Sequence, residues 1–257
     1  MDERIDNLEI KIDKRKIRRK RSEDQSVVES VFDTETRKTI YELINRKVLD
    51  ELGFVISTGK EANVYYAISS EKAVAVKIYR IKTAETRFMW PYVIGDPRFK
   101  KVRRKTRDLI FTWAEKEFKN LTRAHKAKIR VPIPIAVRKN VLVMEFIGNE
   151  DDPAPLLKDS VLSRPQKVFD TLLLYMRLLF QKAKLIHADL SEFNVLYTDE
   201  PVIIDISQGV VLAHPKAREF LIRDIKNILR FFSAYDIKLP TLEEAYNFIT
   251  RGAADES

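Results

Sequence analysis

The stretch IHADLSEFNVLY, residues 186–197, and the stretch VIIDIS, residues 202–207, set the narrowest limits on what this chain can become. Both are apolar runs of the kind a buried strand requires, and both carry an acid, Asp189 in the first and Asp205 in the second. Buried charge is tolerated only with a partner, so His187, Asp189, Asn194 and Asp205 must meet complementary groups or a cation. Asp189 and Asn194 flank the turn LSEF. An Asp and an Asn converging on a further acid make an oxygen-rich site for Mg²⁺, which takes one or two protein ligands and completes its shell with substrate phosphates. The remaining Asp would orient or deprotonate an attacking hydroxyl. The competing reading makes Asp189 a turn former and His187 a hydrogen-bonded core residue. Two Asps ending apolar strands, with Asn194 and Lys77 in the same chain, argue against it.

Lys77 belongs to AVAVK, where it alternates with apolar neighbours and shares a strand face with Ala73 and Ala75. A buried Lys needs a carboxylate, and the helix expected over 109–128 offers Glu115 and Glu117. These cannot share a face, and Glu117 lies on the stripe of Ile110 and Leu121, so it is the favoured partner. Upstream, STGKEANV joins two strands, and its small residues let backbone amides approach an anion. It is not a Walker loop, because the Gly spacing is wrong and Glu61 stands where Ser or Thr is needed. A strand-turn-strand phosphate lid fits it better.

Charge and composition limit the partners. The 257 residues are 45% hydrophobic, enough for one large domain or two joined lobes. Apolar runs fall short of a membrane span, and the charged N-terminus MDERIDNLEIKIDKRK is unlike a secretory signal. A cytoplasmic protein with no membrane partner is the expectation. The lack of Cys removes disulfides, thiolate nucleophiles and Cys-ligated zinc, and three His make a His-rich metal site a poor candidate. The net charge of +9 is concentrated in two blocks. Residues 11–21 carry eight Lys/Arg against one acid, and residues 80–107 carry ten against two. The second block interleaves Phe88, Trp90, Tyr92 and Phe99, a combination suited to RNA. Solvated surface or thermal adaptation is the plain alternative.

Along the chain, a basic segment over residues 1–25 precedes a helix expected over 33–52 and stopped by Gly53. Strands follow at 54–57, 63–69 and 73–80. Residues 82–108 read as a basic flexible loop, with room for a short helix. After helix 109–128 come two strands within IPIAVRKNVLVMEF, a helix over 165–184, the two acid-bearing strands, and a helix over 216–233. Sheet first and helices second is an α+β, two-lobed order. The expected division is a basic segment with a helical extension over 1–48, a first lobe over 49–147 and a second over 148–257.

Lys77 on AVAVK, a helix Glu, HxDxxxxN at 187–194 and the Asp of IIDIS together resemble the working parts of the protein-kinase fold. The departures narrow the match. The lid reads S-x-G-x-x-A-x-V over 57–64, IDISQG replaces Asp-Phe-Gly, and the short stretch after Asp205 has no Ala-Pro-Glu segment. STGKEANVY, VKIY, HADLSEFN and IIDISQ resemble the Rio family of atypical protein kinases, and WAEKEFKNL resembles its Rio kinase 1 subfamily in archaeal form. The resemblance implies a kinase-like fold with a truncated second lobe. It implies ATP with Mg²⁺ or Mn²⁺, and small ribosomal subunit maturation with pre-ribosomal RNA or ribosomal proteins as partners. Lys77 would hold the ATP phosphates and pair with Glu117, with Ser57, Lys60 and Ala75 lining the nucleotide. Adenine would bond to the backbone of Glu145 and Ile147, beneath Met144. Asp189 would be the catalytic Asp, Asn194 and Asp205 the metal ligands, and Asp205 would also accept phosphate as an ATPase intermediate. Serine autophosphorylation is implied within 82–108, yet this loop has no Ser, only Thr83, Thr86 and Thr106, with Thr112 nearby.

Three activities remain open on these residues: a protein kinase acting in trans, an ATP-hydrolysing switch on a pre-ribosome, and a small-molecule phosphotransferase with a similar HxDxxxxN core. The basic loop disfavours the third, because cationic small substrates are met by acids.

Overall fold

The computed structural model describes residues 33–81, 86–99, 105–149 and 152–251. The basic block at 11–21 lies outside them. Helix α1 (Thr34–Asn45) is capped by Asp33, whose carboxylate accepts from the Thr36 amide at 2.8 Å. The helix expected to run on to Gly53 ends at Asn45, and strand β1 (Glu51–Thr58) has begun by then. Lys47 turns the chain with a φ of 59°. The apolar spacing suggested one helix because Leu43, Leu49 and Leu52 enter the same cluster from two elements. Gly53 stops nothing. It sits in β1, where a Cβ would come 3.1 Å from the Tyr66 carbonyl oxygen.

Strands β2 (Ala62–Ser69) and β3 (Lys72–Tyr79) pair without a register break from Ala62↔Tyr79 to Ser69↔Lys72. Ser70 and Glu71 join them, both with positive φ, as the right-handed twist of a two-residue hairpin requires. Strands β4 (Pro134–Arg138) and β5 (Val141–Glu145) complete an antiparallel sheet of order β1-β2-β3-β5-β4. Asn140 fastens α1 to the back of this sheet, donating to Thr36 Oγ1 and to the Tyr79 carbonyl, each at 2.9 Å.

The stretch read as a flexible loop with room for a short helix contains helix α2 (Thr86–Val93) and a single 3₁₀ turn, Pro97–Phe99. Its apolar residues Met89 and Val93 are buried against Trp113 and Ile110 of α3 (Thr106–Lys126). Beyond the sheet, β6 (Gly148–Asn149) pairs with β7 (Asp152–Pro153). Helix α4 (Pro165–Leu178) passes into a π turn, Leu179–Ala183, where a single helix was expected. Short strands follow. β8 (Leu185–Ile186) pairs with β11 (Val210–Val211), and β9 (Val195–Tyr197) pairs with β10 (Pro201–Ile203). Helix α5 (Ala217–Phe232) matches the expected span closely. Helix α6 (Leu242–Thr250) was missed, although its Thr241/Glu244 capping box stands plainly in TLEE. One large core joins α4, α5 and α6 to the short strands, and a second lies between the five-stranded sheet and α1. Among the described residues no helix is long and apolar enough to cross a membrane.

Candidate active site

Strand β3 delivers Lys77 to the inner face of the sheet, and α3 brings Glu117 up beneath it. Lys77 Nζ stands 3.0 Å from Glu117 Oε1 and 2.8 Å from Asp205 Oδ1. Glu117 is 1% exposed and is held from its other oxygen by the Tyr79 hydroxyl, which donates to Oε2. Glu115, the alternative partner, points outward and pairs with Lys119 on its own helix. Burial works to lower the Lys77 ammonium, but the carboxylates of Asp205 and Glu117 overcome it and hold the group above its ordinary range. For Asp205, burial works upward while Lys77 and the Ser207 hydroxyl, 2.8 Å from Oδ1, work downward and prevail. For Glu117, burial prevails and raises the carboxyl above its ordinary range, against the pull of Lys77 and the Tyr79 hydroxyl.

Asp205 follows β10 with a φ of 53°, left-handed backbone that a non-glycine residue adopts only under constraint. The constraint comes from α3. Lys116 donates to the Ser207 and Gly209 carbonyls, and Asn120 donates to those of Ile206 and Gly209 at 2.8 and 2.9 Å. Both side chains are fully buried.

The turn after β8 carries the second group. Asn194 Nδ2 donates to the Asp189 carbonyl at 2.8 Å and to its Oδ2 at 3.3 Å, and Gln208 Nε2 reaches the same Oδ2 at 3.1 Å. Burial raises the Asp189 carboxyl above its usual range, against the pull of Arg223, which suits it to accept a proton. Ala188, with a φ of 67°, places Asp189 on this turn. Helix α5 holds the turn in place. Asp224 accepts from the amides of Ala188 and Leu190 at 2.8 and 3.0 Å, Arg223 donates to the Ala188 carbonyl, and Asn227 donates to that of Leu190. His187 is buried, with Nε2 3.0 Å from the Ile204 carbonyl and Nδ1 lacking a hydrogen-bond partner. Burial pushes it down to about 4, so it is neutral near pH 7.

The structure thus gathers Lys77, Glu117 and Asp205 in one contact set and Asp189 and Asn194 in another, and the two Asp carboxylates are close enough to raise Asp189. Ala75 pairs with Met144 across β3 and β5. The Glu145 amide donates to the Ile133 carbonyl, and the Ile147 carbonyl accepts from Ala154. The Glu145 side chain forms a two-pronged pair with Arg130 at 2.7 and 2.9 Å, pointing it away from a base-binding role. Ser57 and Lys60 are exposed at the end of β1 and in the turn after it. Sequence reasoning missed Tyr79, Lys116, Asn120, Gln208, Arg223 and Asp224. Lys116 and Asn120 left a trace, since they lie on the buried stripe of α3 with Trp113 and Leu121, where polar residues have no place without partners.

The donor set suits a hard cation. Engagement of Asn194 Nδ2 by Asp189 turns its Oδ1 outward, and Lys77 and Ser207 both bind Asp205 Oδ1, which leaves Oδ2. No cluster of three or more His, Cys, Asp or Glu stands in ligating arrangement among the described residues. A cation here would take most of its shell from phosphate and water, as Mg²⁺ does.

Comparison with known proteins identifies the family and the fold. The RIO domain family model matches residues 63–245. The chain is 45% identical over 222 residues to the RIO-type serine/threonine-protein kinase Rio1 of Haloferax volcanii, covering 86% of this chain and 76% of that protein. It is 40% identical over 233 residues to the protein of the same description from Methanocaldococcus jannaschii, covering 90% and 80%. Against human serine/threonine-protein kinase RIO1 the identity is 42% over 233 residues, covering 88% of this chain but 41% of the human protein. The fold resembles that of the Rio2 kinase-ADP/Mg²⁺-phosphoaspartate complex from Chaetomium thermophilum, with a TM-score of 0.63 at 23% identity, covering 84% of this chain and 67% of that one. The fold is therefore kinase-like, and the chain belongs to the RIO family, on its Rio1 branch.

Proposed function

We propose that the chain is an atypical serine/threonine protein kinase and ATPase that binds ATP with Mg²⁺ or Mn²⁺ between its sheet and its helical lobe. The observation that carries this reading is Lys77, bridging Glu117 and Asp205 beside the Asp189–Asn194 pair. Lys77 would bind the phosphates while Glu117 and Tyr79 keep its ammonium aimed. The Glu145 carbonyl and the Ile147 amide would meet adenine beneath Met144, with Ala75 against the ring and Ser57 and Lys60 in the lid. Asn194 Oδ1 and Asp205 Oδ2 would hold the cation, which supplies charge neutralisation to the phosphates. Asp189 would take the proton of the attacking group, a serine or threonine hydroxyl or water, as the bond from the γ-phosphorus to the bridging oxygen breaks and ADP leaves.

A second reading is favoured by the open Oδ2 of Asp205, which is also a candidate nucleophile. Its attack on the γ-phosphorus would release ADP and leave an acyl phosphate, which water then cleaves with its proton passing to Asp189. In this reading the chain is an ATP-driven switch that acts in the cytoplasm on a maturing small ribosomal subunit. The basic block at 80–107 supports a polyanionic partner such as pre-ribosomal RNA. Of its aromatic residues, Tyr92 is stacked on Phe220, Phe99 lies beneath Arg98 and Lys119, and Phe88, half-exposed, carries the Arg87 guanidinium 4.7 Å from its ring centroid.

The test is hydrolysis of labelled ATP with Mg²⁺ by wild type, Asp189→Ala and Asp205→Asn, with and without purified small ribosomal subunits. Turnover lost in Asp189→Ala supports the assignment, and unchanged turnover defeats it. An acid-stable, base-labile protein phosphate that disappears in Asp205→Asn supports the switch, whereas phosphoserine or phosphothreonine as the dominant product supports the kinase.

A further inference from the structure

Residues 86–99 belong to the stretch read from sequence as a flexible loop with room for a short helix, yet two trains of contacts run from them to the two loops of the candidate active site. The first begins at Arg98. Its guanidinium clamps Asp96 through Nε at 2.9 Å and Nη2 at 2.7 Å, and Nη1 donates to Asn120 Oδ1 at 2.7 Å. An amide whose oxygen is fixed in this way must present its nitrogen to the other side. On that side Asn120 donates to the Ile206 and Gly209 carbonyls, in the loop that follows Asp205. The second train begins at Tyr92, whose ring stacks on Phe220 with centroids 5.2 Å apart. Arg223 lies over the same Phe220 ring, 5.0 Å from its centroid, and donates to the Ala188 carbonyl, next to Asp189. The segment is anchored independently by His214, whose Nε2 is 3.0 Å from the Pro91 carbonyl, and by Gly95, whose φ of 94° brings its backbone against Pro215.

We propose that Arg98 and Tyr92 are positioning residues for phosphoryl transfer, Arg98 setting the Asp205 loop through Asn120 and Tyr92 setting the Asp189 turn through Phe220 and Arg223. Neither touches the reacting atoms. The basic insert is therefore built into the catalytic centre, so whatever displaces residues 86–99 displaces both loops together. This rests on the nucleotide and metal reading above. It goes further in giving a charge-rich insert a mechanical part in that site.

The test uses the whole chain and ADP, with and without Mg²⁺. In Arg98→Ala, ADP affinity without the metal should stay within about twofold of wild type, while affinity with Mg²⁺ should fall about tenfold, in the range typical of groups that orient metal ligands. Amides of 206–209 should exchange with solvent faster, and Arg98→Lys should recover part of the loss by donating to Asn120. Tyr92→Leu removes the ring that stacks on Phe220 and should leave both ADP affinities intact while slowing phosphoryl transfer about tenfold. The proposal is overturned if Arg98→Ala leaves both affinities and the exchange unchanged, or if both affinities fall together. Should Arg98→Ala fail to fold, Tyr92→Leu decides, and a wild-type transfer rate in it overturns the proposal. Wild-type protein that binds no ADP under either condition would defeat the nucleotide reading instead.

Discussion

Lys77 lies 2.8 Å from Asp205, its partner across 128 residues of sequence, and this one contact ties the inner face of the sheet to the loop that ends β10. Lys77→Met removes it and strands Glu117 in the interior with the Tyr79 hydroxyl alone. Breaking a buried pair from one side destabilises by about 3–5 kcal/mol. Denaturant unfolding should show a loss of that order, and ATP turnover should fall at least a hundredfold, on the order expected for a lost phosphate-binding charge. Adding Glu117→Gln should recover stability without recovering turnover. Turnover that survives in Lys77→Met would rule out the phosphate-binding role.

His187 and Asp224 make opposing contributions to stability across the acid range. His187 is held down to about 4 by burial, against about 6.5 when unfolded. The unfolded chain therefore takes up a proton that the folded one refuses, and this contribution is lost as pH falls from about 6.5 to about 4. Burial pushes Asp224 up to about 7, against about 3.9 when unfolded. Here the folded chain keeps a proton that the unfolded one has released, so stability falls as pH rises from about 4 to about 7. Over most of this window the two slopes oppose. His187→Gln should therefore lose stability on raising the pH from 4 to 6.5, and Asp224→Asn should gain it, each by a few kcal/mol, at roughly 1.4 kcal/mol for every tenfold difference in proton affinity between the folded and unfolded chains. Parallel pH profiles for wild type and both variants would contradict these assignments.

Asp224→Ala tests the same side chain as a scaffold. It would leave the Ala188 and Leu190 amides without their acceptor in the interior. An orphaned buried donor costs about 1–3 kcal/mol, so thermal unfolding should show a loss of that size or larger. Turnover should fall along with it, because Asp189 lies between the two amides. Full turnover in a folded Asp224→Ala would mean that Asp189 is positioned by something else.

Gly209 lies where the Asp205 loop passes closest to α3. A Cβ there would come 2.9 Å from Asn120 Nδ2 and 2.9 Å from Ile206 Cγ1. Gly209→Ala should cost about 1–3 kcal/mol through overpacking, and it should weaken ADP binding with Mg²⁺ more than without. Equal affinity in both conditions would show that the loop absorbs the methyl without moving Asp205.

The parts of the site that obey a short repeat were legible in the sequence. Alternation on AVAVK put Lys77 inside, and the helical stripe chose Glu117 over Glu115, because both are decided by neighbours a few residues away. The supports were hidden for the opposite reason. Lys116 finds its acceptor 91 residues on, at Ser207, and Arg98 finds Asn120 only after the chain has folded back on α3. Leu49 and Leu52 extended the apparent period of α1 although they arrive from a turn and a strand, since burial in a common core leaves the same imprint as one helical face. Helix α2 was allowed for but not placed, because of its surrounding charge and an internal Pro91 that weakens its helical signal.

The bond from Tyr79 to Glu117 limits how such an enzyme could be switched off or blocked. Many on-off devices in phosphotransferases depend on swinging the glutamate-bearing helix outward, which vacates a hydrophobic back pocket. Here that swing would tear a carboxylate from two donors in a dry interior, and a penalty of about 3 kcal/mol holds such a state below about one molecule in a hundred. Inhibitors that wedge behind a displaced helix would find little to select. Selective compounds should instead exploit the lid over 57–64, which departs from the three-glycine pattern of ordinary protein kinases.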